Sequence, residues 1–224
     1  VQNLYRIQVW NGTETVWDTG MKESRDSVPI PYEGKELSSE TVYNVKVTAW
    51  DNYGNADSTE ATFETGIFDP GQFQAEMITH DFPEDETACP VFWQDFRAEK
   101  PVKKAVVYAT ALGVYEMSLN GERIGADRMT PGWTSYHKRL QYQEYDITSQ
   151  IHQDNRIEIT VGNGWYKGIF GFDLKPDRYG DRVGVFAELH ITYDDGEKEV
   201  IATDREWKVR TGKIRYSEIY MGET

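Results

Sequence analysis

The sequence predicts an all-β protein made of two successive β-sandwiches. Three observations carry this. Most apolar stretches alternate apolar and polar residues with a period of two, which sends one strand face into a core and the other into water. Asn-Gly, Asp-Gly and related turn pairs punctuate those stretches at short intervals. Helix-period patterning is nearly absent: only "YDITSQIHQDN" (145–155) reads as one helical turn, with Thr148 as its cap.

The elements follow in order. "YRIQVW" (5–10) places Tyr5, Ile7 and Val9 on one face, "VYNVKVTAW" (42–50) is a longer alternating run, and "ATFET" (61–65) follows it. "WNGT" and "WDNYGN" supply the turns between them, which is the grammar of a small β-sandwich. Composition shifts over 66–90: "TGIFDPGQF" is rich in Gly and Pro and reads as an interdomain joint, and "ITHDFPEDETACP" reads as an exposed loop. Strands resume at 91 with "VFWQDFRAE", "VKKAVVYATAL" (102–112) and "VYEMSLNGERIG" (114–125), where Asn120-Gly121 is the strongest hairpin signal in the chain. "NRIEITVGNG" (155–164) puts Ile157, Ile159 and Val161 on one face. "RVGVFAELHITYDDGEKEVIAT" (182–203) does the same with Val183, Val185, Ala187, Leu189 and Ile191, then turns at Asp195-Gly196 before a last short strand in "DREWKVR" (204–210). This second set of strands predicts a jelly roll. The expected division is a first domain over 1–66 and a second over 67–224.

With 224 residues the chain is long enough for one large or two small domains with a real core. A formal net charge of -14 argues against nucleic acid and anionic membrane surfaces as partners, while a neutral ligand such as a sugar remains compatible. Cys89 is the only cysteine, so neither an internal disulfide nor a paired-cysteine zinc site can form. The mean hydropathy is -0.68 and no apolar run reaches membrane-spanning length. The chain opens directly on strand-like "LYRIQVW", which predicts an excised fragment of a longer protein.

"VGNGWYKGIF" (161–170) raises the functional question. Trp165 and Tyr166 are candidates for a sugar platform, because the C–H face of a pyranose stacks on aromatic rings while its hydroxyls need nearby polar groups. Asn163, Lys167 and Tyr179 complete the carbohydrate-binding candidates. The plainer alternative has Trp165 filling core and Tyr166 capping the sheet edge. "GFDLKPDRYGD" (171–181) offers Asp173, Asp177 and Asp181 as calcium candidates, against the alternative that these are turn residues with Asp181 paired to Arg182 or Arg178. No cofactor is required. "TPGWTSYHKRLQYQEYD" (130–146), with Trp133, Tyr136, Tyr142 and Tyr145, reads as a loop that packs against a following domain, its turn set by Pro131-Gly132. His80, His137, His152 and His190 show no metal spacing, and His190 falls on the outer face of its strand, exposed or paired. No serine sits in a nucleophile elbow, and "GNGWYKG" lacks the helix and the Lys-Ser/Thr ending of a phosphate loop. No catalytic residue is predicted.

"ATALGVYEMSLNGERIGADRMTPGWTSYHKRLQYQEYDIT" (109–148), "VGNGWYKG" (161–168), "YGDR" (179–182), "TDREWKV" (203–209) and "SEIYMGET" (217–224) follow one another in an order that resembles the N-terminal accessory domain of bacterial α-L-rhamnosidases, a family of glycoside hydrolases. "YRIQV", "VWDTG", "VYNVKVTAWDNYGN" and "FETG" resemble the fibronectin type III-like domain that precedes it. The resemblance implies a fibronectin-like β-sandwich truncated at its N-terminus, followed by the rhamnosidase jelly roll. It also implies a parent enzyme that removes terminal α-L-rhamnose from glycosides by inversion, on a downstream α/α-barrel in the same chain. The present segment is then expected to be inactive alone, to position that catalytic domain, and to bind L-rhamnose or rhamnosylated glycans, since some relatives carry a jelly roll that does so with calcium. The remaining alternatives are a structural spacer and an accessory domain of another glycosidase. The compartment stays open, a periplasmic or secreted location being favoured over a cytoplasmic one.

Overall fold

A computed structural model describes residues 1–224, and it is nearly all antiparallel β. Two compact units divide the chain, Val1–Gln72 and Phe73–Thr224. The first holds β1 (Gln2–Asn11), β2 (Glu14–Asp18), β3 (Lys22–Glu23), β4 (Val42–Asp51) and β5 (Ala56–Glu64). The second holds β6 (Ile78–Thr79), β7 (Pro90–Arg97), β8 (Val102–Leu112), β9 (Val114–Leu119), β10 (Glu122–Arg123), β11 (Gln143–Asp146) and β12 (Asp154–Gly162). It continues with one helical turn, α1 (Gly164–Lys167), and then β13 (Gly184–Tyr193), β14 (Lys198–Ala202), β15 (Lys208–Thr211), β16 (Ser217–Glu218) and β17 (Gly222–Glu223).

In the first unit the strands form one sheet in the order β2-β1-β4-β5, with β3 beside β1. Ile7 and Val9 pair with Val47 and Val45 on the neighbouring strand, so the alternation read in each strand falls on a common face. Ile7, Val9, Val16 and Tyr43 form its buried core, with Ile30 and Leu37 from the long loop before β4 packed against them.

The second unit is a two-sheet sandwich. One sheet runs β10-β9-β12-β7-β15, the other β11-β8-β13-β14 with β6 added beside β13. Ile157, Ile159 and Val161 from the first sheet and Val185, Leu189 and Ile191 from the second are all at most 2% exposed. Each such side chain contributes roughly 1.5–3 kcal/mol of burial. The hairpin at Asn120-Gly121 forms, with both residues at positive φ, and β13 turns into β14 through Gly196 at a φ of +86. One local expectation fails. Residues Thr148–Gln150 do make a short 3-10 turn, but Thr148 is not its cap: Asp146 Oδ1 accepts the Thr148 N–H at 2.9 Å. The Thr148 hydroxyl instead accepts from Ala105 N–H in β8, because that strand amide faces it at 2.9 Å.

The outer face of the β8–β13 sheet carries a buried acid. Glu188 is fully buried, and its carboxylate accepts the backbone N–H groups of Gln74 at 2.6 Å and Ala75 at 2.7 Å. His190 Nε2 lies 2.7 Å from the other carboxylate oxygen, so His190 is paired. Phe73 packs edge-on against Tyr108, Tyr142 and Phe186.

Candidate functional site

The strand β12 ends at Gly162, and the chain then folds into the single turn α1. Gly164 makes that possible: its φ is +54, and a Cβ there would sit 2.7 Å from Val114 Cγ1 at the start of β9. The turn is a true helical one, closed by Lys167 N–H to Asn163 O at 3.2 Å and Gly168 N–H to Gly164 O at 3.1 Å.

A helical turn divides side chains that an extended loop would gather. Positions four apart share a face, and a position between them points the other way. Asn163 and Lys167 therefore fall together, lining a cavity of about 210 Å³ with His80, Glu86 and Glu218. Asn163 Nδ2 donates to Glu218 Oε1 at 2.8 Å, and Ile169 N–H donates to Glu218 Oε2 at 2.7 Å, so this polar set braces the turn. Burial, with the charges of Lys167 and Arg182 behind it, holds the His80 imidazole below its ordinary pKa. Cys89 lines the same cavity, and burial pushes its thiol up to about 11, which keeps it an inert thiol at neutral pH.

Trp165 points to the opposite side. There it lines a cleft of about 650 Å³ with Trp133, Phe170, Phe172, Asp173, Arg178, Tyr179 and Tyr220. The Trp133 and Trp165 rings are nearly parallel, with centroids 6.3 Å apart and 7° between their planes. Phe170 meets Trp133 edge-on at 5.3 Å, and Trp133 Nε1 donates to the Tyr179 hydroxyl at 3.3 Å. Arg178 donates to Phe170 O, lies 5.0 Å over the Phe170 ring, and forms an ion pair with Asp173. The cleft thus presents aromatic surface, two phenol hydroxyls and one internally neutralised charge pair.

Of the five carbohydrate-binding candidates read from sequence, the structure brings Trp165 and Tyr179 to this cleft. Tyr166 is packed behind it. Its ring lies so close to Gly180 that a Cβ there would collide with it, and it meets Tyr136 edge-on at 5.4 Å. Tyr136 in turn rests 4.9 Å from Tyr179, with burial pushing its phenol up to about 12. The calcium candidates do not assemble. Asp173 is taken by Arg178, Asp177 sits at a φ of +58 with its N–H on Lys167 O, and no three His, Cys, Asp or Glu side chains gather where a metal ion could be held.

Trp133, Phe170, Phe172 and Tyr220 escaped the sequence reading as lining residues of this cleft. The signal they carried was position: bulky rings in "TPGW", "GIFGF" and "EIYMG", among turn residues instead of on an alternating strand face. No helix is long and apolar enough to cross a membrane.

Comparison with known proteins joins these observations. The sequence model for the α-L-rhamnosidase N-terminal domain matches residues 100–224, and that for the Rha78A-like N-terminal immunoglobulin domain matches residues 1–69. An α-L-rhamnosidase of Streptomyces avermitilis is 44% identical over 126 residues, covering 56% of this chain and 12% of that protein. An α-L-rhamnosidase of Alteromonas sp. (strain LOR) is 32% identical over 241 residues, covering 99% of this chain and 26% of that protein. The crystal structure of native α-L-rhamnosidase from Aspergillus terreus superposes with a TM-score of 0.86 at 36% identity, covering 99% of this chain and 27% of that one. The chain thus spans about a quarter of the Alteromonas and Aspergillus proteins it matches, and it corresponds to their N-terminal part. A match that runs through more than half of the chain and agrees with the fold establishes its kinship: this protein belongs to the α-L-rhamnosidase family, of which it carries the N-terminal immunoglobulin-like and jelly-roll domains.

Proposed function

We propose that this chain is the non-catalytic N-terminal part of an enzyme that releases terminal α-L-rhamnose from glycosides with inversion, that it positions a downstream catalytic domain, and that it offers L-rhamnose a shelf in the Trp133–Trp165 cleft. The observation that carries the sugar reading is the pair of parallel indoles at the cleft, with the hydroxyl of Tyr179 beside them. An apolar face flanked by hydroxyl donors is what a deoxyhexose, with its methyl group and C–H faces, can use. The rings act as a shelf and not as jaws. A saturated ring between them needs two contacts of about 3.5–4.0 Å, more than the 6.3 Å between centroids allows. The sugar therefore lies on the outer surface of Trp133, which is 56% exposed.

Inverting hydrolysis requires an acid and a base on opposite sides of the bond, roughly 6.5–9.5 Å apart. Asp173 is the one carboxylate in the cleft lining, and Arg178 holds it in an ion pair. This supports a binding role without turnover. A structural spacer is the second reading, favoured by the packing of Tyr166 and Asn163 into the domain itself. Titration of the chain with L-rhamnose, followed by tryptophan fluorescence and calorimetry, separates the two. Saturable binding that is lost in Trp133→Ala and Trp165→Ala supports the shelf. Absence of heat and fluorescence change at millimolar sugar leaves the spacer. Release of rhamnose from an aryl α-L-rhamnoside by this chain alone would overturn the non-catalytic assignment.

A further inference from the structure

The cleft is larger than one sugar needs. We propose that it takes a neutral O-glycoside of at least two rings, with Phe172 and Tyr220 forming the subsite for the second ring. This rests on the carbohydrate reading above and specifies its ligand.

Size is the first argument. The cleft encloses about 650 Å³, in the middle of the range that holds drug-sized ligands. A lone deoxyhexose has ~11 non-hydrogen atoms and fills roughly a quarter of that space. The second is the supply of uncovered rings. One pyranose on Trp133 leaves Phe172 fully exposed and Tyr220 60% exposed, both on the lining of the same cleft. Large apolar side chains left open beside one another on a folded surface mark a contact site. Charge is the third. The lining holds one cation and one anion, Arg178 and Asp173, and each is the other's partner, so nothing in the cleft selects for a charged ligand. The polar groups that remain are phenols. Tyr179 accepts from Trp133 Nε1, and Tyr220 accepts from Gly171 N–H at 3.3 Å, and each keeps its own proton to donate to a glycoside oxygen.

Phe172 is the discriminating residue. Its side chain is fully exposed, so Phe172→Ala leaves the fold alone and removes only the second shelf. The experiment compares L-rhamnose, a neutral rhamnosyl disaccharide and an aryl α-L-rhamnoside by calorimetry, on the unaltered chain and on Phe172→Ala. A second stacked ring should tighten at least one of the two-ring ligands roughly fivefold to tenfold over L-rhamnose. Phe172→Ala should abolish that gain and leave the L-rhamnose affinity unchanged. Equal affinity for one-ring and two-ring ligands, or equal weakening of all three by Phe172→Ala, overturns the second subsite while the shelf for L-rhamnose stands. Failure of all three ligands to bind the unaltered chain overturns both.

Discussion

In the second unit two sheets face each other, and alternating strands on both sides bury a continuous cluster from Phe92 through Ile159 to Ile191. In the first unit a single sheet has only Ile7, Val9, Val16 and Tyr43 buried, helped by two loop residues, Ile30 and Leu37. The local grammar of the two is the same. Both have long alternating strands, tight Gly turns and antiparallel register. What differs is the cover over the apolar face. A second sheet supplies period-two knobs at every strand, whereas a loop supplies two side chains, and Val47 and Phe63 stay 36% and 37% exposed on the first unit's core face. The first unit's edge strand β5 is exposed along all nine residues, and Asp57, Glu60 and Glu64 charge it against pairing with another edge. The aromatic cleft is built on the better-covered unit. Rigid sheets there hold the ends of the loops that carry Trp133 and Trp165, which fits a site whose rings must be placed in advance.

Substitutions can break or sharpen this contrast. The largest effect is expected for Phe92→Ala, since Phe92 is 1% exposed on the core face of β7: roughly 3–5 kcal/mol in urea unfolding, with amide protection falling along β7 and β12. A loss below about 1 kcal/mol would mean that the thick core does not carry the unit. Next comes Glu188→Ala, which leaves two loop amides without their acceptor and should cost roughly 3 kcal/mol. Exchange at the Gln74 and Ala75 amides should accelerate, and Glu188→Gln should retain part of their protection. Val9→Ala in the first unit removes two methyl equivalents from a partly open core, so about 2 kcal/mol is expected, confined to amides of β1 and β4. An effect there as large as that of Phe92→Ala would erase the distinction between the cores.

The smallest effect is electrostatic. Arg6 grips Asp18 with two guanidinium nitrogens and holds its carboxyl down to about 2. A depressed carboxyl pKa stabilises the fold above the unfolded value near ~4, and the contribution disappears as pH falls through about 2. Because the two side chains are 40% and 30% exposed, screening keeps the contribution slight. The carboxyl carbon of Asp18 should titrate with a midpoint near 2 by NMR and return toward the ordinary carboxylate range in Arg6→Gln.

Strand positions, core faces and hairpins were legible because they depend on spacing within a few residues. Ile157, Ile159 and Val161 were read as one buried face from alternation alone, and they are. The two-residue hairpin at Asn120-Gly121 needs only residues tolerant of positive φ, which the chain states directly. The family was legible for a related reason: an ordered set of turn and strand motifs survives in sequence as it does in structure.

The site was legible only in part. Trp165 was identified from its company of glycines, but its neighbours in sequence were taken for its neighbours in space. Four residues of helix put Asn163 and Lys167 on one side and Trp165 on the other, and nothing in "GNGWYKG" distinguishes that turn from an extended loop. Where Tyr166 and Asp173 lie was hidden for the same reason, since packing against Gly180 and pairing with Arg178 are settled by contacts made only on folding. By itself, then, the sequence determined what is periodic or local: an all-β chain, its turns, its core faces and its kinship. The tertiary structure alone decided that a ring from the loop before β11 lies parallel to one from the turn after β12 and lines the same cleft. Side-chain direction in loops has no period to read, and it is fixed by contacts between segments distant in the chain.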